Sequence, residues 1–308
     1  MTARVAVVGA GMAGAACARV LADRGIDVTV VERGRAPGGR MAAPVLHGRR
    51  VDLGAAYLTA KDDGFAALVA DWVARGLARE WTDTFTVLGD DGRSTTSGPM
   101  RYAAPDGLRS LVRDVLPVPA ELGTELVSAA ELDHDAVVLA MPDPQARRLV
   151  PDASDWVEFD PVVSVAAGWS RREWEPFDAA FVNDHPAVSL IADDGARRGD
   201  GAAVLVAHAV PDLARCHLDA PDAVVPLLLD AMGSLLGATA APEWTHAQRW
   251  TFAKPVGTHG DEPFGLTEYA GRPLGLCTDT WCPQGAPRVE SAWLSGHHLG
   301  QALADRLA

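Results

Sequence analysis

Residues 5–8, Val-Ala-Val-Val, form an apolar run that passes straight into Gly9-Ala10-Gly11-Met12-Ala13-Gly14. Four apolar residues ending on a glycine turn predict a strand buried on both faces of a parallel sheet. Over 12–24 the period changes, and Ala15, Ala16, Val20 and Leu21 fall on one helical face. A second apolar run, 28–31, then ends on Glu32. Further on, Phe65, Leu68, Val69 and Trp72 keep helix spacing within 65–76. Glu80-Trp81 and 84–88 read as strand, closed by the turn Gly89-Asp90-Asp91-Gly92. A helix is predicted over 109–116 and strands over 122–127 and 136–140. Strands at 162–169, 181–182, 188–191 and 203–209 and a helix at 223–236 predict a sheet backed by helices. Residues 274–277 form a short strand, and 288–296 start a last helix.

The first βαβ unit carries chemistry. Gly9 permits the tight turn, Gly11 lets backbone approach a pyrophosphate, and Gly14 lets helix pack close to strand. The helix start, with Met12 and Ala13, offers free N–H groups and partial positive charge to that phosphate. Glu32 lies 18 residues beyond Gly14, where an acid accepts ribose hydroxyls. Strand, helix, second strand and acid all fall in place, so the unit predicts dinucleotide binding.

After Glu32 the chain enters a loop, Arg33-Gly34-Arg35-Ala36-Pro37-Gly38-Gly39-Arg40-Met41, instead of another strand–helix repeat. Such a loop can lay N–H groups and a guanidinium along an extended, doubly charged ligand. Glu32-Arg33 plus Gly38-Gly39-Arg40-Met41 resembles the amine-oxidase superfamily of FAD-binding flavoproteins. That resemblance implies non-covalent FAD rather than NAD. It also implies an α/β fold, with a Rossmann-like FAD-binding domain of the amine-oxidase/p-hydroxybenzoate-hydroxylase type and a second, mixed-sheet substrate domain.

The resemblance sharpens at Asp52, Gly54-Ala55, Tyr57, Thr59-Ala60-Lys61-Asp62, Phe65, Trp72 and Glu80-Trp81, a series similar to that of the bacterial renalases. Met141-Pro142-Asp143-Pro144-Gln145-Ala146 resembles that family's turn from sheet to substrate domain, although a plain Pro-bounded turn reads as well. His246 to Pro255 and the run Arg288-Val289-Glu290-Ser291-Ala292-Trp293-Leu294-Ser295-Gly296 are similar too. Departures are Thr278 for glycine, an inserted Thr280, Ser291 for glycine, and a loop at 283–287 longer by two residues. The likeness implies an FAD-binding domain at 1–60, 100–145 and 265–308 and a substrate domain at 61–99 and 146–264. It implies cofactor contacts from Gly9, Gly11, Met12, Ala13, Gly14, Glu32, Arg33, Gly39, Arg40, Met41, Gly54, Ala55, Leu126, Ala140, Met141, Asp279, Arg288 and Val289. Asp279 would accept from ribityl hydroxyls, and the N–H groups around Val289 and Glu290 would face the flavin edge that gains negative charge.

Composition sets bounds on partners. With 308 residues, 48% hydrophobic and 22% charged, the chain can bury a large core in two domains. A net charge of −14 disfavours nucleic acid and anionic membranes as partners. No run of about 18 apolar residues predicts a membrane span. Cys17, Cys216, Cys277 and Cys282 lack Cys-x-x-Cys spacing, which fits a reduced, cytoplasmic protein without zinc or other metal. Arg171-Arg172 and Arg197-Arg198 read as solvated loop charge, and Trp156, Trp169, Trp174 and Trp244 as core or domain-interface residues. Lysines are only Lys61 and Lys254; with His246 and Arg249 they are the candidates to meet a substrate, the catalytic groups being otherwise undefined.

The activity the resemblance implies is oxidation of the 2-dihydro and 6-dihydro isomers of NAD(P)H, with oxygen reduced to hydrogen peroxide. The partners would then be a small-molecule hydride donor and oxygen, in an oligomeric state the sequence leaves open. An amine or secondary-metabolite oxidase or dehydrogenase on the same scaffold, and a non-catalytic flavin-bound scaffold, are the alternatives. A complete flavin-reducing edge argues against the last.

Overall fold

A computed structural model describes residues 2–89, 92–151 and 156–308, so Asp90 and Asp91 of the predicted turn lie outside the described residues. Two sheets organise the chain. The first runs Gly265–Tyr269, Arg272–Leu276, Ala136–Leu139, Arg4–Val8, Asp27–Glu32, Glu121–Leu122 in spatial order. It is parallel except for the outer hairpin partner Gly265–Tyr269. Arg4–Val8 sits between two parallel neighbours, so Val5, Ala6 and Val7 have no face left for solvent. The predicted strand over 122–127 shrinks to Glu121–Leu122, because Gly123 turns into the left-handed region (φ 71°) and ends the extended backbone there.

The first helix, Met12–Asp23, and the last, Val289–Leu307, cover one face of this sheet, their cores meeting through Cys17, Leu21, Leu299 and Leu303. They cross at glycine. A Cβ on Gly296 would stand 2.0 Å from the Ala13 carbonyl oxygen, and one on Gly300 would meet Val20 Cβ at 2.8 Å. The helix Asp63–Ala74 packs its Phe65, Val69 and Trp72 against Met12, Ala15 and Ala16. Asp62 starts it by accepting from Phe65 N at 3.0 Å.

The second sheet runs Trp244–Pro255, Phe159–Gly168, Val204–Ala209, Val188–Asp193, Ala179–Val182, Arg79–Gly89, Gly92–Ala103. Only Ala179–Val182 and Arg79–Gly89 pair in parallel. Strand alternation splits its residues between two faces. Val163, Val165, Leu205 and Ala207 point to the helices Pro211–Cys216 and Val225–Leu236 and, with Trp169 and Trp174, form the largest core. Ala166, Val206, Trp244 and Trp250 point the other way, onto Val51 and Leu53.

Arg197 and Arg198, expected in solvent, are instead 1% and 6% exposed. They lie on the short helix Asp194–Arg198, where Asp194 pairs with Arg49, Arg197 and Arg198. Arg198 also reaches Asp52 at 2.9 Å, and Arg197 donates to the carbonyls of Asp52 and Ala56 at 3.0 and 3.2 Å. Sequence pattern misplaces this pair because, although Asp194 is local, the Asp52 carboxyl and the carbonyls of Asp52 and Ala56 that complete its burial are brought in by folding. Arg172 pairs with Asp193 at 3.0 Å, whereas Arg171 stays exposed as expected. Burial pushes the Asp52 carboxyl above its ordinary range despite Arg197 and Arg198. At Asp194 burial acts in the same sense, but Arg197, Arg198 and Arg49 outweigh it and hold the carboxyl low.

Candidate active site

The strand–turn–helix at 4–14 makes a cradle. Gly9 has φ of 109°, and a Cβ there would lie 2.3 Å from the Ala140 carbonyl oxygen. One on Gly14 would stand 2.0 Å from the Gly9 carbonyl, whereas one on Gly11 would meet nothing within 4 Å. Gly9 and Gly14 are thus forced by backbone packing, while Gly11 borders open space, as a pyrophosphate seat requires. The helix behind it has no side-chain cap and no acid in its first turn, so its N–H groups and positive dipole end face that space. Glu32 is held at the end of its strand by Ala10 N (2.9 Å) and Gly34 N (2.6 Å). Those bonds leave each oxygen lone-pair capacity for ribose hydroxyls. These residues fit an FAD.

Gly39 packs on Gly11, so the loop after Glu32 folds back over the cradle. Arg40 then makes a bidentate pair with Asp279, at 2.9 and 2.5 Å, and donates to the Ala253 carbonyl at 3.1 Å. The two residues expected to meet the ligand separately therefore also brace each other, joining the glycine loop to the end of Arg272–Leu276. Met41 is buried against Met12 and Leu58. Gly54 fits under Arg40, whose carbonyl oxygen a Cβ would meet at 1.9 Å, and the Ala55 N–H donates to that carbonyl at 2.8 Å. Ala140 and Met141 come directly after the central strand, and Leu126 packs at the edge of the Val8 and Leu139 cluster. Arg288 and Val289 open the last helix, where Ser291 Oγ accepts from Arg288 N at 2.9 Å. Arg33 stays in the loop beside Glu32.

The catalytic candidates separate. Arg249 alternates with Trp250 along its strand, lies on the helix-covered face and donates to the Leu218 carbonyl at 2.7 Å. It is turned away from the cradle. His246 shares the face of Trp244 and Trp250, toward the first sheet's loops. Lys61 is exposed; its N–H and that of Asp62 donate to Glu290, which tethers this segment to the start of the last helix. Lys254 adjoins Ala253, the residue bonded to Arg40, and burial lowers its ammonium pKa.

His208 faces this region too, and sequence reasoning does not single it out. It shares the face of Val206 and pairs across strands with Ser164, whose Oγ donates to the Leu53 carbonyl at 2.5 Å. Trp250 Nε1 donates to the same carbonyl at 3.0 Å. His208 therefore stands opposite the 53–56 loop, beside the expected flavin. A lone histidine on the alternating strand Val204–Ala209 is the available signal. Burial, then Lys254 and Arg197, push its pKa down to about 3, so it is neutral at physiological pH.

A histidine with a depressed folded-state pKa contributes stability that is present above its unfolded value and lost as pH falls toward about 3. Lowering the pH from about 7 to 5 should cost up to about 2 kcal/mol through this group. Urea unfolding at both pH values should show that increment disappearing in His208→Gln. An equal loss in parent and variant would remove His208 from the account.

Glu32→Ala should weaken FAD retention about tenfold to a hundredfold, the loss of a charge-assisted bond worth roughly 1.5–3 kcal/mol. Gel filtration and then the flavin absorbance ratio measure it. Undiminished retention would mean that Glu32 is not the ribose ligand.

Among the described residues no group of three or more His, Cys, Asp or Glu side chains could hold a metal ion, and no helix is long and apolar enough to cross a membrane. Cys17 and Cys277 are buried together, and their hydrogen bond, then burial, raises the Cys277 thiol pKa.

Known proteins share this fold. Residues 7–72 match the NAD(P)-binding Rossmann-like domain. Over the full fold the chain is similar to a protein assigned as a protoporphyrinogen oxidase from Exiguobacterium sp. 255-15, with TM-score 0.77, 14% identity and 99% of both chains covered. A putrescine oxidase variant superposes with TM-score 0.70 at 12% identity, again over 99% of both chains. Fold and relatives define the class, an FAD-dependent oxidoreductase with a Rossmann-like dinucleotide-binding domain and a mixed-sheet partner. Within it, the chain is a distant relative of renalase from Mus musculus, 24% identical over 89% of this chain and 91% of that protein. A hydroxyneurosporene desaturase from Rubrivivax gelatinosus is 46% identical over 69 residues, 21% of this chain and 13% of the desaturase.

Proposed function

We propose that the chain oxidises the 2-dihydro and 6-dihydro isomers of NAD(P)H to NAD(P)+, with one oxygen and one proton consumed per hydrogen peroxide formed. Bound FAD supplies the hydride acceptor and the route of electrons to oxygen. The likeness to renalase along most of the chain supports the reading. The observation that carries it is the charge of the wall opposite the 53–56 loop. A neutral His208 stands there with Lys254 and Arg197 close enough to oppose its protonation. The nearby acids Asp52, Asp194 and Asp279 are each paired with arginine. Such a wall repels a protonated amine and accepts a neutral ring that carries phosphates.

In this reading, residues 1–60, 100–145 and 265–308 hold the cofactor, while 61–99 and 146–264 meet the donor, with the helix Asp63–Ala74 lying against the cofactor side. The sheet wall fixes the donor ring so that carbon 2 or 6, rather than carbon 4, faces the acceptor. No protein base is required, because the step moves a hydride.

Anaerobic mixing tests the proposal. The two isomers should bleach the flavin rapidly, while ordinary NAD(P)H and simple amines should not. Bleaching by an amine or another small metabolite, with none by the isomers, would favour the amine or secondary-metabolite oxidase reading instead. Acid precipitation should release the FAD, which the proposal takes to be non-covalent.

A further inference from the structure

Arg101 is 6% exposed, yet among the described residues it has no carboxylate partner. Its hydrogen bond is from Nη1 to the Asp83 carbonyl at 2.7 Å, and its Nε has no partner. The guanidinium lies over Phe85, 4.0 Å from the ring centre, and over Tyr57 at 5.4 Å. Cation–π contacts return part of the cost of burying a charge, but they leave the N–H groups unpaired. The other deeply buried arginines behave differently, since Arg197 and Arg198 both bind Asp194.

The unused side of Arg101 has a shape. Nε–H and the adjacent Nη2–H form the fork that grips a carboxylate or phosphate through two parallel bonds. Gly98, in a bulge of the edge strand Gly92–Ala103, borders that fork; a Cβ there would lie 3.4 Å from Nη2. Trp81, whose ring is 5.4 Å from Phe85, has a buried Nε1 that also lacks a partner. The unpaired charge of Arg101 makes an anionic oxygen the complementary ligand.

Position ties the fork to the candidate active site. Tyr57 is three residues beyond Gly54, and Leu58 bridges Tyr102, the neighbour of Arg101. The 54–58 segment thus links the flavin cradle directly to this corner. We propose that Arg101 is the anion-recognition site of the donor, binding the phosphate attached to the nicotinamide ribose. The assignment rests on the nucleotide-donor reading and replaces Arg249, which faces the other way.

Calorimetric titration of the FAD-loaded protein with nicotinamide mononucleotide, nicotinamide riboside and inorganic pyrophosphate tests it. The parent should bind the mononucleotide at least tenfold more tightly than the riboside, with pyrophosphate competing. Arg101→Gln should reduce the mononucleotide to the riboside level and leave the riboside unchanged. Arg101→Lys, which keeps the charge and loses the fork, should fall between them. Thermal midpoint and retained FAD control for folding, and if the glutamine variant does not fold the lysine variant decides. Equal binding of mononucleotide and riboside by the parent, or unchanged mononucleotide binding by a folded variant, would overturn the assignment. Pyrophosphate binding that needs Arg101, with no nucleotide binding, would support the anion site and sink the nucleotide-donor reading. No binding by any phosphate ligand would sink the Arg101 assignment whatever the donor proves to be.

Discussion

Asp194→Ala is expected to destabilise the fold by about 3–5 kcal/mol, the usual cost of breaking a buried ion pair from one side. At roughly 2–4 °C per kcal/mol, the thermal midpoint should fall by about 6–20 °C. Asp194 has no exposed side chain and serves Arg49, Arg197 and Arg198 together. Its removal leaves Arg197 and Arg198 buried, with the Asp52 carboxylate as the remaining acid. The effect should reach the cofactor, because Arg197 holds the Asp52 and Ala56 carbonyls on either side of Gly54 and Ala55. FAD retention should therefore drop along with stability. Asp194→Asn, which keeps shape and some hydrogen bonding, should lose less. The exposed pair Arg24–Asp305 is the contrast, since its removal should cost under about 1 kcal/mol. Calorimetric unfolding decides, and an Asp194→Ala midpoint within a degree or two of the parent would show that the network does not tie the 49–56 segment to the helix Asp194–Arg198.

The cradle is legible in the sequence because its causes are local. Gly9, Gly11 and Gly14 stand at fixed offsets from one strand end, and Glu32 ends the next strand, so period and spacing are enough. The roles of Arg197, Arg198 and Arg101 are not legible. Whether a guanidinium is solvated, paired or left as a donor depends on what folding brings beside it. Asp52 is 146 residues from Arg198, and the Phe85 ring comes from the strand paired with the strand of Arg101. His208 lies between these cases. Its alternating strand places it on one face, but which face meets the cofactor loop is set by the sheet's packing on Val51 and Leu53. Arg249 fails for the same reason in reverse: adjacent to Trp250 in sequence, it points to the opposite side.

Gly296→Ala should be the most damaging single methyl addition on the last helix, costing about 3 kcal/mol as an overpacked contact. The added Cβ would sit 2.0 Å from the Ala13 carbonyl oxygen, and that atom belongs to the backbone of the first helix and cannot rotate aside. The helices must separate, and their N-terminal ends, at Met12 and Val289, are the two dipole ends expected to meet the FAD pyrophosphate and flavin edge. Overpacking here thus costs stability and cofactor affinity together. Gly300→Ala supplies a graded comparison, because its Cβ would meet Val20 Cβ at 2.8 Å and the Cys17 carbonyl at 3.0 Å, contacts that a small helix tilt relieves. Gln301→Ala, on the exposed side of the same helix, should change neither property. The expected order of FAD loss and thermal destabilisation is Gly296→Ala, then Gly300→Ala, then Gln301→Ala. A Gly296→Ala protein that unfolds with the parent and keeps its flavin would show that the close crossing of these helices is not what aligns the two cofactor-facing ends.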